Sequence, residues 1–138
     1  MNLSSLVTDN ITELLIKIIE FTQTRQKVLS RNINNMHSAD FVPQDMPVDE
    51  FSRTLNCAIS EHTQNQRLLL CDTENIKFGA EGWFEAKPIV DEYAKELLEE
   101  DQDKYLELQI NKLLENSLNQ RVAAELFRQK EGVTSVFE

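Results

Sequence analysis

Apolar residues recur at spacings of three and four over two long stretches of the chain, which is the periodicity of an amphipathic helix. The first stretch predicts a helix over residues 10–36. Asn10 and Glu13 fit a capping box at its start, in which each side chain binds a backbone amide of the first turn. Asparagines cluster near the other end, where their side chains compete with helical hydrogen bonding and favour an exit from the helix.

The second stretch predicts a helix over residues 89–131, with Pro88 in its first turn and an end near Gly132. The apolar pattern thins between Leu98 and Tyr105, which is consistent with either a kink or a solvated stretch. Each helix is too long for a small globule unless it has a long partner. We therefore expect the two helices to pack together.

The middle of the chain predicts shorter elements. A polar bend is expected over residues 37–46, a short helix over 47–61 begun by Pro47, and a loop or small hairpin over 62–88. The hairpin would pair Arg67–Cys71 with Ile76–Phe78, and Trp83 and Phe84 would wedge it against the helices.

Composition agrees with a helical chain. Only three glycines and three prolines occur among 138 residues, so few residues favour the turns that separate strands. The length suits one domain, residues 1–138. The predicted fold class is mainly α: long N- and C-terminal amphipathic helices packed as a coiled-coil-like hairpin, with a short middle helix and room for a small β-hairpin.

The net charge of −10 argues against a nucleic-acid or anionic-membrane partner, since both bind clustered Lys and Arg. No apolar run approaches the roughly 20 residues that span a bilayer. An ordinary secretory signal is also missing, so the residues alone predict a cytoplasmic protein.

Candidate chemistry is sparse. Cys57 and Cys71 are expected to be two small, partly buried thiols, and with His37 and His62 they lack the spacing of a structural zinc site. The acidic run near residue 100 lacks the alternating ligands of a calcium loop and is expected to be a solvated face. No nucleophile, phosphate-binding or metalloprotease motif occurs. We therefore expect no enzyme, catalytic residue, cofactor or metal.

The stretch from Arg25 to Phe51 has a specific order: a helix end rich in Asn, a polar turn, and an Asp-containing segment before an apolar helix. It resembles the N-terminal signature of the axial proteins of the bacterial flagellum, most closely the proximal rod protein of the basal body. Ala39 and Asp40 depart from the Pro-Gly of the family's turn, and Asn34 from its Ala. The positions that match in register are Arg25, Gln26, Val28, Leu29, Asn32, Ile33, Asn35, Ser38, Phe41 and Asp45.

The resemblance extends to Val90-Asp91 and the Leu-, Gln- and Asn-rich C-terminal helix. It implies a structural component of the flagellar rod in cell motility, whose partners are copies of itself, other rod proteins and the flagellar export apparatus. It also implies export without a cleaved signal peptide and a place in the periplasmic rod of the basal body. The matching bend residues would then contact neighbouring subunits, and so would the C-terminal positions Leu114, Leu118, Val122 and Leu126.

A second interpretation fits the size and acidity of the chain: a small helical binding module, such as a type III secretion chaperone or adaptor. Such chaperones use several strands in a dimeric α/β fold, and few strands are predicted here. The position of the gene among rod and export genes would separate the two.

Overall fold

The N-terminal stretch of apolar periodicity forms helix α1, Leu3–Asn34. The computed structural model describes the backbone of residues 3–137 and the side chains of residues 10–80 and 82–132. The end of α1 agrees with the prediction, because the Asn-rich segment leads directly into turns at residues 35–40.

The predicted start of this helix at Asn10 is wrong. Asn10 lies inside α1, and its side-chain amide contacts the Gln66 carbonyl at 3.4 Å. Glu13 lies 3.6 Å from the Lys17 ammonium one turn on. Both side chains therefore serve tertiary or helix-surface contacts and not a capping box.

The bend returns the chain along α1. Asp40 takes a left-handed conformation with φ of 62°, and a two-residue strand, β1 (Gln44–Asp45), follows. Helix α2, Val48–Asn65, starts directly after Pro47 as predicted and runs beyond the predicted end at residue 61.

One strand of the predicted hairpin forms, but it pairs with a different segment from the one predicted. Residues 67–75 run back along α2, held where Glu61 binds Arg67 and Glu50 binds Asn75. Strand β2 (Ile76–Phe78) pairs antiparallel with β3 (Phe84–Ala86) around a 3-10 turn, Ala80–Gly82.

Of the two residues predicted to pack the hairpin against the helices, only one does so. Phe84 packs on the core, at 5.9 Å between its ring centre and that of Phe51, whereas Trp83 is 53% exposed. Trp83 is extended and directly precedes β3, so its side chain and that of Phe84 point to opposite faces.

The C-terminal stretch begins later than predicted and is divided. Residues 89–90 form strand β4, which pairs antiparallel with β1, so Pro88 precedes a strand and not a helix. Helix α3, Glu92–Glu100, is capped by the Asp91 side chain, and helix α4, Gln102–Phe137, follows. The break lies at Asp101, which is extended and caps α4 by accepting from the Lys104 amide.

The predicted C-terminal end near Gly132 is also wrong, because α4 continues through Gly132, which a helix tolerates at a cost of about 1 kcal/mol.

Helices α1 and α4 pack antiparallel, since Asn32 contacts Gln109 and Thr22 contacts Asn116. Phe21 of α1 stacks on Phe51 of α2 with ring centres 4.0 Å apart. The protein is therefore mainly helical, as predicted, with short antiparallel strand pairs. The buried core cluster consists of Phe21, Val28, Met46, Phe51 and Ile76.

Candidate functional site

A buried chain of opposite charges joins the bend to both terminal helices. Arg25 of α1 donates to both carboxylate oxygens of Asp45 in β1, at 2.9 and 3.2 Å. Lys112 of α4 donates to Asp45 at 2.9 Å and to Asp91 at 2.6 Å. Because Asp91 also caps α3, the four groups connect α1, β1, α3 and α4.

These partners shift the protonation equilibria of the group. Burial by itself would raise the pKa of the Asp45 carboxyl, but the hydrogen bonds and charges of Arg25 and Lys112 outweigh it and lower the pKa. Burial would likewise lower the pKa of Lys112, and its hydrogen bonds to Asp91 and Asp45 outweigh that and raise the pKa. Asp45 and Lys112 are therefore both charged at neutral pH.

An amide group continues the network toward the bend. The Asn32 side chain binds both the amide and the carbonyl of Gln44, at 3.1 and 2.7 Å. Its Nδ2 also donates to Gln109 at 2.9 Å, and the Tyr105 hydroxyl donates to the Asn32 carbonyl at 2.7 Å. Burial, aided by the charge of Asp91, raises the pKa of Tyr105 to about 12.

We call this network the polar seam. Buried polar groups cost free energy unless they are paired, so a satisfied seam tolerates one register of α1 against α4. One atom departs from this: Nε2 of Gln109 is buried and has no partner among the described residues. The members of the polar seam are Arg25, Asn32, Asp45, Asp91, Tyr105, Gln109, Lys112 and Asn116.

The residues that carry the flagellar resemblance fall into three groups. Gln26 and Ser38 are exposed. Ile33, Asn35 and Phe41 are half-buried around the bend. The buried ones pack within the chain itself, in the seam or beside the core, and they are Arg25, Val28, Leu29, Asn32 and Asp45.

The C-terminal positions of the resemblance form a row that begins opposite the seam at Leu114 and turns, by about 40° for every four residues, toward the α1 side at Leu126. Leu114 and Leu118 are 64% and 61% exposed, and Val122 and Leu126 are 51% and 46% exposed. Ile110 extends the same row by one turn. We call these five residues the apolar stripe of α4, and each of them is at least 44% exposed.

A groove of about 410 Å³ lies next to the stripe, between α1, α2 and α4. Leu15 and Ile18 line one wall, Leu55 another, and Leu118 and Val122 the third. The groove and the stripe form one continuous apolar surface because they share Leu118 and Val122.

Sequence reasoning missed the α4 members of the seam. Between Tyr105 and Asn116 the residues of α4 that contact α1 are polar, so a search for apolar periodicity passes over them. Their signal is instead a polar row at helical spacing: Tyr105, Gln109, Lys112 and Asn116.

The candidate chemistry changes in one respect. Cys57 and Cys71 are both exposed, so their predicted partial burial is wrong. No group of three potential metal ligands occurs among the described side chains. Of the helices described, none combines the length and apolar character needed to cross a bilayer.

Comparison with protein-family models, with curated proteins and with solved structures finds no match to this chain.

Proposed function

We propose that the protein is a structural component of the bacterial flagellar basal-body rod, and that it acts by assembling with copies of itself and with other rod proteins. In this proposal α1 and α4 form the coiled-coil-like hairpin of the axial proteins. The chain catalyses no reaction and is exported without a cleaved signal to the periplasmic rod, where it contributes to motility.

The main support is the apolar stripe of α4. Soluble monomers rarely expose a row of leucine and valine side chains over four turns. Such rows mark interaction sites. The resemblance to the flagellar axial proteins predicts this row as a subunit contact.

The polar seam gives the bend residues a role that suits assembly. Arg25, Asn32 and Asp45 make their contacts within the chain, so they orient the bend and do not touch a neighbour directly. The matching residues that are exposed or half-buried remain for contact with adjacent subunits: Gln26, Ile33, Asn35, Ser38 and Phe41. A fixed bend presents the same surface in every copy, as a regular tube of subunits requires.

The test is the substitution Leu114→Gln with Leu118→Gln in the bacterium that carries this gene. Both side chains are exposed, so we expect the purified variant to unfold within about 0.5 kcal/mol of the unchanged protein. Motility and the presence of the protein in purified basal bodies should both be lost. Ile59→Gln, an exposed apolar residue of α2, is the matched control and should keep both. Normal basal bodies in the double variant would contradict the proposal.

The groove of about 410 Å³ favours a second function, a helical binding module such as a type III secretion chaperone or adaptor. An amphipathic helix of a client would lie in the groove with its apolar side facing Leu55 and Val122. Purified basal bodies distinguish the two. A rod protein is recovered in them, whereas a chaperone is recovered from the cell interior in a complex with its client.

A further inference from the structure

The charges of this acidic protein are unevenly distributed along α1. No Asp or Glu occurs between Glu20 and Asp40, although the chain as a whole has a net charge of −10. Arg25, within this stretch, is buried and bound to Asp45. Lys27 and Arg31 are exposed, and no carboxylate of the described side chains lies within 4.0 Å of either.

Lys27 and Arg31 line a polar groove of about 690 Å³ between α1 and α4. They are four positions apart and so share one face of α1. The other polar groups of the groove that can donate to a carboxylate are amides and a hydroxyl: Gln23, Gln26, Ser30, Asn34 and Gln120. We call this surface the basic face.

The same chain has a surface of the opposite sign. Glu92, Glu96 and Glu99 are exposed and recur at spacings of four and three on α3, so they share one side of that helix. None of the three has an ion pair among the described residues. We call this surface the acidic face.

We propose that the basic face of one copy binds the acidic face of a second copy. The proposal rests on the proposed function, since it names the contact by which rod subunits of this kind meet. Two cations one turn apart match two carboxylates one turn apart when the helices lie side by side. The two faces do not pair within one chain, so their charges remain available to a neighbour.

The contact is heterologous, because the basic face and the acidic face are different surfaces. Such a contact leaves one free face of each kind on every pair, and a third copy can add. Opposite charges also give the approach of two acidic proteins a preferred orientation, with like-charged surfaces kept apart. The apolar stripe then adds buried area to a pairing that the charges have already oriented.

The experiment measures self-association of the full-length chain by sedimentation velocity. Ionic strength is set at about 10 mM, where charges act over about 30 Å, and at about 1 M, where they act over about 3 Å. We expect association of the unchanged protein at low salt to weaken at least about tenfold at high salt. Equal association at both would overturn the proposal.

Two charge-reversal variants test the faces separately. Lys27→Glu with Arg31→Glu reverses the basic face, and Glu96→Lys with Glu99→Lys reverses the acidic face. Each variant alone should associate at least about tenfold more weakly than the unchanged protein at low salt. An equimolar mixture should recover association to within about threefold, because every contact in it again joins opposite charges.

Each departure from this outcome has one meaning. If the basic-face variant is weakened and the mixture is not restored, the basic face contacts a surface of the second copy other than the acidic face, and the proposal is overturned. Arg31 lies in the last turn of α1, where a cation favours the helix, so Lys27→Glu alone replaces the pair if the double variant does not fold. Basal bodies lost in the stripe variant but kept in both charge variants would support the proposed function while overturning this contact.

Discussion

The side chain of Asn32 forms with Gln44 the two hydrogen bonds that a neighbouring strand would form. Its oxygen accepts from the Gln44 amide at 3.1 Å, and its nitrogen donates to the Gln44 carbonyl at 2.7 Å. The last turn of α1 thus acts as an edge partner for β1 and determines the direction in which the chain leaves the bend.

Replacing Asn32 by Ala should lower the free energy of unfolding by about 2 to 4 kcal/mol. The change leaves the amide and the carbonyl of Gln44 without partners, and each unpaired buried group costs about 1 to 3 kcal/mol. Asn34→Ala, an exposed asparagine of the same turn, is the matched control and should change stability by less than about 0.5 kcal/mol. Urea unfolding of both variants measures the difference, and equal losses would mean that the Gln44 contact is not responsible, since the change to Ala favours the helix at both positions.

Replacing Asp45 by Asn should cost about 3 to 5 kcal/mol at neutral pH, because Arg25 and Lys112 then lose a buried counter-charge. The cost should depend on pH. A carboxyl whose pKa is lowered by folding stabilises the protein above its unfolded pKa, and that contribution is lost as the pH falls through the folded pKa.

The gap in stability between the unchanged protein and Asp45→Asn should therefore be constant from about pH 5 to pH 8 and should narrow once the pH falls below 3.8. Thermal unfolding across this range is the measurement. Glu107→Gln, an exposed carboxylate of α4, should show no such gap. A gap that stays constant down to acid pH would show that Asp45 acts through its shape and not its charge.

Replacing Asp40 by Gly should stabilise the protein by about 0.5 kcal/mol, whereas Asp40→Ala should destabilise it by about 1 kcal/mol. Asp40 has a φ of 62°, which glycine adopts freely and which places the Cβ of an L-residue close to its own backbone. The flagellar signature has glycine at this position of the turn. Chemical denaturation of the two variants gives the sign, and an equal effect of both would mean that the Asp40 side chain, and not its backbone, matters.

Replacing Cys57 and Cys71 together by Ser should change stability by less than about 1 kcal/mol, since both thiols are exposed. Both thiols should also react with a thiol reagent in the folded protein at the rate of an unstructured peptide. Stoichiometric zinc in the native protein, or loss of folding in the double variant, would contradict this expectation.

Some features of the fold follow from local patterns. The end of α1 at Asn34 and the start of α2 after Pro47 agree with prediction, because caps and breakers act on their own neighbours in sequence. The thinned apolar pattern around Asp101 predicts either a kink or a solvated stretch, and in the structure Asp101 ends α3 and caps α4 through the Lys104 amide.

Other features were mispredicted for one common reason. Ile76–Phe78 could pair with either neighbour by its composition, and the pairing with Phe84–Ala86 is decided by which segment brings aromatic side chains to the core. The sequence predicts Asn10 as a helix cap, whereas Asn10 lies inside α1, because its contact with the Gln66 carbonyl joins residues that are distant in the chain.

The sequence by itself determined the helical class, the two long helices and the bend between α1 and α2, because periodicity and turn chemistry are properties of neighbouring residues. Only the tertiary structure decided which side of α4 faces α1. A prediction from apolar content alone would place Leu114 and Leu118 against α1. In the structure the side of α4 that faces α1 carries Gln109 and Lys112. Polar groups can occupy that side only where partners distant in the chain, Asn32 and Asp45, meet them at hydrogen-bonding distance, and that matching exists only in the folded molecule.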